Sequence, residues 1–288
     1  MIGFINLIKP VGMSSNQAVG YIKRTMGLKK VGHAGSLDPL ASGVLPIMIG
    51  KATKLFDYTL NIGKEYICEL EFGRTTDTLD TEGNITDISN IIPTQEEILT
   101  VLPQFLGNIM QTPPKYSALK IQGKRMYQLA RDGEDFDVEQ RPTFVYDIRL
   151  IDFSSPRARF YIHCKSGFYV RSFCRDIAHL LGTVATMTAL VRTSAAGLNI
   201  KDALTLEEVS NYVSNSDFSF IMKADSILRD YSSVLIDDRE YFCLRNGMSV
   251  KKTLENTGLY KVYYDNNRFI GIAEYSNGFL KMNILLNE

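Results

Sequence analysis

Twelve residues constrain this chain more than any others. Gly32-His33-Ala34-Gly35-Ser36-Leu37-Asp38-Pro39-Leu40-Ala41-Ser42-Gly43 holds three glycines, a proline and two serines between two apolar runs. Such a stretch is expected as a loop, since glycine and proline interrupt both helix and strand. Before it, residues 4–8 read as a buried strand. Ser14 with Gln17 three positions on then forms a capping box for a helix. Ala18, Val19, Ile22 and Met26 share one face of that helix, and Gly27 ends it. After the loop, residues 44–49 read as a second strand, with Pro46 pointing to a sheet edge or a bulge. The loop is thus expected to hang from two strands and a helix.

The rest of the chain mixes periods. Residues 51–60 place Ala52, Leu55, Phe56 and Leu60 at helical spacing. Residues 66–72 alternate, with Tyr66, Cys68, Leu70 and Phe72 on one face. Capping boxes at Thr94–Glu97 and Thr205–Glu208 open two further helices, the first running to about residue 102. Residues 145–152 and 160–164 read as strands. Residues 170–181 read as a helix with Phe173, Ile177, Ala178 and Leu181 inward. Beyond about residue 230 only short strands remain, at 259–264, 269–275 and 279–286, with a turn at Asp265-Asn266-Asn267. Strands and helices follow no regular βαβ rhythm, so the fold class is α+β. At 288 residues the chain is long enough for one large domain and one small one.

Composition excludes several classes. No apolar run approaches the roughly 20 residues that cross a bilayer. Met1-Ile2-Gly3-Phe4 lacks the charged-then-apolar pattern of a secretory signal, so a cytoplasmic location is expected. Cys68, Cys164, Cys174 and Cys243 form no Cys-x-x-Cys, so no zinc site is expected and the thiols are expected separate and reduced. Formal charge sums to zero, with 32 basic and 32 acidic residues, but it is unevenly spread. Residues 1–60 carry seven basic residues against two acids, while 115–131 and 157–175 each carry five and no acid. Asp132, Glu134, Asp135, Asp137 and Glu139 crowd into eight residues. Gathered on one face, the basic blocks would suit a polyanion; left apart, they are solvated surface.

The loop fits none of the common cofactor patterns. The Gly27 to Gly32 spacing matches a P-loop, but His33-Ala34 stands where Lys-Ser/Thr is required. There is no dinucleotide fingerprint, and Ser36 lies in no nucleophile elbow. His33, His163 and His179 have no metal-ligand spacing. What remains is the carboxylate of Asp38, biased toward an extended backbone by Pro39, among glycines that allow close approach. On residue chemistry alone, Asp38 is either a functional carboxylate or a hydrogen-bonded turn aspartate.

The twelve residues closely resemble the catalytic motif of the TruB-type pseudouridine synthases, the bacterial tRNA pseudouridine-55 synthases, matching every fixed position through Leu45. Other segments resemble that family in the same order. They are Lys9-Pro10-x-Gly12-x-Ser14-Ser15, Lys64-Glu65-Tyr66, residues 73–80 (GRTTDTLD), residues 111–120 (QTPPKYSALK), Gly167-Phe168-Tyr169-Val170-Arg171-Ser172 and Leu190-Val191-Arg192-Thr193. Phe168 stands where the family commonly has threonine, which removes a local hydrogen bond.

The resemblance covers about residues 4–200 and implies a good deal. The fold would be a mixed, mainly antiparallel sheet flanked by helices, with a small C-terminal β-rich PUA-like module. Residues 1–228 would form the catalytic domain, with an RNA-gripping insertion at about 107–142, and 229–288 the RNA-binding module. The reaction would isomerise a uridine of the tRNA T loop, position 55, after flipping it out, with no cofactor and no metal. Asp38 would be the catalytic carboxylate, acting on C1′ or on a 2′ proton, with Arg171 as its partner. Tyr66 would stack on the uracil and help remove the C5 proton. Tyr169 and Leu190 would line the uridine pocket. His33, Lys9 and Lys120 would contact RNA, and the acid-rich 132–139 segment would face away from it. The expected partner is the T-arm stem-loop of tRNA, with no membrane, no obligate protein partner and a monomeric state. The readings set against this are a noncatalytic tRNA-binding or folding factor on the same scaffold, and a guide-RNA-dependent synthase.

Overall fold

The computed structural model describes residues 1–60, 62–121 and 123–286. Among the described residues its main sheet has nine strands, seven of them along one continuous path. In chain order those seven are β1 (Gly3–Lys9), β2 (Ser42–Ile49), β3 (Lys64–Phe72), β4 (Gly107–Gln111), β5 (Arg141–Ser154), β6 (Arg157–Cys164) and β7 (Ala185–Ala195). Their order across the sheet is β1-β2-β7-β3-β6-β5-β4, antiparallel throughout except for the β2–β7 pair. The short strands Val31–His33 and Leu198–Asn199 pair with β2 and β7.

Local signals explain most of these elements. Helix α1 (Ser15–Thr25) starts at the expected capping box, Ser14 accepting from the Gln17 amide while the Gln17 side chain takes the Ser14 N–H. Ala18 and Ile22 bury against Ile5, Leu7, Leu45 and Ile47 of β1 and β2. Alternation in β3 places Tyr66, Cys68, Leu70 and Phe72 inward. They meet Phe173, Cys174, Ile177 and Ala178 of helix α2 (Val170–Leu180) in the largest core cluster. All four cysteines are free, and Cys68 and Cys174, 106 positions apart, bring their sulfurs to 3.6 Å.

Three expectations need correction. The twelve-residue loop is shorter than expected, because Gly32 and His33 lie in the Val31–His33 strand opposite Met48 and Ile47. Residues 51–60 begin as a 3-10 helix over Gly50–Leu55 and turn α-helical only at Phe56–Thr59. Pro46 sits in an interior strand, not at an edge. Outward hydrogen bonds of β1 come from Phe4 and Ile8, so the Asn6–Pro46 pair exchanges none and the missing proline N–H faces away from β1. On that side Ala34 N–H needs only the Pro46 carbonyl, at 2.9 Å.

A second sheet follows, with strands Ser232–Leu235, Gly258–Tyr264, Arg268–Ser276, Phe279–Leu285 and Val250–Lys251 in that spatial order. The Asp265-Asn266-Asn267 turn has positive φ at all three residues. Ile272 and Leu286 from this region share an apolar cluster with Phe4, Val44 and Met48, so the second sheet packs against the strands that flank the loop.

Candidate active site

Residues 34–41 cross the end of the main sheet where β2 and β7 run parallel. That pairing matches Val191 with Ser42 and Arg192 with Gly43. Gly43 has φ +105°, and a side chain there would collide with the backbone of Arg192, so only glycine lets the strands approach this closely.

Almost every residue of the loop is tied down. Arg192 is wholly buried, and its guanidinium donates to the carbonyls of Val44 (2.7 Å), Ser36 (3.1 Å) and Gly35 (3.1 Å). The Ser15 hydroxyl, at the start of α1, both accepts from the Leu37 N–H (2.8 Å) and donates to the Leu37 carbonyl (3.0 Å). The Pro39 carbonyl accepts from the Gly12 N–H at 2.8 Å and from Lys9 Nζ at 3.4 Å. Lys9 is fully buried, and its ammonium also donates to the carbonyls of Pro10 and Met13. Burial pushes the Lys9 amine down to about 8, with the Asp38 carboxylate pulling the other way.

This scaffold presents Asp38. Its carboxylate lies 2.9 Å from Nε of Arg171, yet its side chain is 38% exposed while that of Arg171 is 7% exposed. Arg171 belongs to the first turn of α2 and is held on every side. Nη1 donates to the Thr78 carbonyl at 2.9 Å and faces the buried Asp80 carboxylate at 3.6 Å. Nη2 donates to the Tyr116 carbonyl at 2.9 Å. One fixed guanidinium therefore joins the loop, the 78–80 turn and the backbone at Tyr116. A planar five-donor fork suits that task, and a lysine would not.

The other expected residues fall into two groups. Tyr66 lies on β3 opposite Arg192, which hydrogen-bonds its hydroxyl, and it packs with Leu37 and Leu190 in the core cluster that borders the loop. Burial pushes the Tyr66 phenol up to about 12 despite that guanidinium, so it stays protonated at neutral pH. Tyr169 caps the N-terminus of α2. Its backbone is clamped by Gln111, whose side-chain amide accepts from the Tyr169 N–H (2.8 Å) and donates to its carbonyl (3.0 Å). His33 is held neutral by burial and by Arg192, and its Nδ1 is buried with no hydrogen-bond partner among the described residues. Lys120 stands apart, exposed on a two-strand hairpin, Lys120–Ile121 with Lys124–Arg125. Phe168 fills the core beside Phe173, an apolar role in place of a hydrogen bond.

Asp80, Gln111, Ser15 and Arg192 carry no role in the reading of the sequence. All four lie within or beside the motifs quoted above, but their partners are distant in sequence: Ser15, Gln111 and Arg192 bond remote backbone groups, and the Asp80 carboxylate faces the Arg171 guanidinium. The acidic 132–139 segment folds onto the basic block beside it. Lys115 pairs with Asp135 at 2.7 Å and Lys124 with Glu134 at 3.2 Å. Among the described residues no cluster of three or more His, Cys, Asp or Glu side chains is placed to hold a metal. No helix among them is long and apolar enough to cross a membrane.

Comparison with known proteins places this geometry. The fold, a mixed sheet with a C-terminal β-rich PUA-like unit, is that of the pseudouridine synthases. It is similar to a chain of an H/ACA ribonucleoprotein bound to a substrate RNA containing 2′-deoxyuridine, with a TM-score of 0.75 and 20% identity over 99% of this chain and 85% of that one. A chain of an archaeal box H/ACA complex is similar at a TM-score of 0.73 and 20% identity, over 98% of this chain and 85% of that one. Three family models match end to end. "TruB family pseudouridylate synthase (N terminal domain)" covers residues 23–170, "tRNA pseudouridylate synthase B C-terminal domain" 171–232, and "Pseudouridine synthase II TruB, C-terminal" 232–286. The chain is 38% identical to the tRNA pseudouridine synthase B of Clostridium kluyveri, over 98% of both chains. It is 39% identical to that of Acaryochloris marina, over 99% of both. The chain belongs to the TruB family of pseudouridylate synthases, which are isomerases.

Proposed function

We propose that the protein isomerises uridine to pseudouridine at position 55, in the T loop of tRNA, with Asp38 as the catalytic carboxylate. One observation carries the reading: an exposed carboxylate sits on a loop whose backbone is tied at nearly every residue, 2.9 Å from a buried guanidinium. That is preorganisation around a reacting group, not the environment of a turn aspartate.

The reaction breaks the N1–C1′ bond, turns the uracil and joins C5 to C1′, so it is redox-neutral. Asp38 acts ionised in either route, as a nucleophile at C1′ or as a base toward the 2′ proton. Arg171, at 2.9 Å, fixes the direction of that carboxylate. The substrate base is extruded from its loop before it reacts, at a cost of a few kcal/mol. Tyr66 offers a neutral ring to stack on the flipped uracil and, as a protonated phenol, a hydrogen bond more readily than a base. Leu190 and Tyr169 border the same space, and His33 meets RNA beside it. Lys9 supports the loop from beneath through Pro39, and Lys120 on its exposed hairpin meets the stem.

The test is tritium release from C5-tritiated uridine in a T-arm stem-loop, with purified protein and Asp38→Asn beside it. Release by the parent and none by the variant is expected. Binding without release by the parent would overturn the reading in favour of an RNA-binding factor or a guide-dependent enzyme.

A further inference from the structure

Arg192 and Lys64 present an imbalance that the proposed chemistry leaves unused. Arg192 is fully buried and is in no ion pair with a carboxylate among the described residues; its partners are carbonyls and the Tyr66 hydroxyl. Lys64 opens β3 on the same face as Tyr66, two residues away. Its Nζ lies against the catalytic loop, 3.3 Å from where a side chain on Gly35 would begin, with Arg192 Nη1 close behind. Gly35 has φ +98° and no side chain, which leaves that amine its place. Among the described residues no carboxylate or carbonyl takes a hydrogen bond from Lys64 Nζ. Burial first, and then the Arg192 charge, push this amine down to about 8. Two cations thus stand behind residues 35–36 without a counter-charge, while Asp38, three residues on, is engaged by Arg171.

An uncompensated pair of cations is unfavourable in the free protein and is relieved by an anion arriving from outside. The anionic group of an RNA is its backbone phosphate, and a ribose placed at Asp38 brings its own phosphate or its neighbour's to the adjoining part of the loop. We propose that Lys64 binds a backbone phosphate of the RNA, at the reacting nucleotide or the one beside it. This rests on the RNA-modifying reading above.

The experiment compares the parent, Lys64→Gln and Lys64→Arg, each first checked for a cooperative thermal unfolding transition. Affinity for the T-arm stem-loop is measured against salt, and again with single methylphosphonates, which lack the phosphate charge, placed along the loop. Lys64→Gln should lower the log–log salt slope by about 0.7–0.9, the share of one neutralised phosphate, and Lys64→Arg should restore it. One methylphosphonate position should weaken the parent several-fold and leave Lys64→Gln unaffected. An unchanged slope, or a parent and variant that respond alike at every position, would overturn the proposal. If the parent releases tritium from the same RNA under those conditions, only the phosphate site falls. If it neither binds nor turns over, the RNA-modifying reading falls and this site with it.

Discussion

Replacing Arg192 with methionine should separate stability from catalysis. The guanidinium serves three carbonyls, on Gly35, Ser36 and Val44. Charge-assisted hydrogen bonds contribute about 1.5–3 kcal/mol each, so their simple sum is about 5–9 kcal/mol. Against that stands the desolvation of a buried cation with no carboxylate, which costs several kcal/mol. The two largely cancel, and the variant should remain folded, within about 3 kcal/mol of the parent. The loop is not compensated in the same way. Residues 35 and 36 lose their anchors, and Asp38 loses its fixed approach. A misplacement of about 1 Å is enough to slow chemistry by about 100-fold, which corresponds to about 2.7 kcal/mol of barrier. Single-turnover tritium release should therefore show kcat down by about 100-fold with KM nearly unchanged, because Arg192 is 0% exposed and does not reach RNA. Arg192→Lys keeps the charge but not the fork, and it should show the same defect. A kcat within threefold of the parent for Arg192→Met, or a loss confined to KM, would refute the reasoning.

Other consequences are as direct. Gly43→Ala forces a side chain into the Arg192 backbone at a left-handed φ; strain of this kind costs about 1–3 kcal/mol before the clash is added, and calorimetry should register a Tm lower by several degrees. Lys64→Met should gain stability relative to the parent at pH 7, because burial makes the charged amine unfavourable. The unfolded chain holds that proton up to the free-lysine value of 10.5 and the folded one only to about 8, so the gap should close as pH rises through that window in denaturant titrations. Glu134→Gln with Asp135→Asn frees Lys124 and Lys115 from their ion pairs. It should tighten stem-loop binding at low salt and steepen its salt dependence, and unchanged binding would mean these lysines do not face RNA.

The sequence made the loop and its carboxylate legible because glycine, proline and serine announce irregular backbone locally, and capping boxes at Ser14, Thr94 and Thr205 announce helices in the same way. β7 was not legible, although it lies at the centre of the sheet and carries Leu190 and Arg192. Register shifts between Met187 and Ala189 and between Arg192 and Ser194 break its two-residue alternation, so no periodic face survives in the sequence. Its parallel pairing to β2 also joins residues about 150 positions apart, for which a local pattern has no vocabulary. The same limit hid the fold-back of residues 132–139. Charge counting finds the acids, but not that two of them reach Lys115 and Lys124.

The sequence separation of the Arg192 contacts has a consequence in time. Its partners lie 148, 156 and 157 residues earlier in the chain. At about 5–20 residues per second of synthesis, roughly 8–30 s pass between the appearance of the Asp38 loop and the arrival of the side chain that fastens it. During that interval the loop can be shaped by Ser15 and Gly12, but it has no floor. The nascent chain therefore carries Asp38 on a loop without its Arg192 anchors past every intermediate length. The loop gains its full set of anchors only when β7 comes in beside β2.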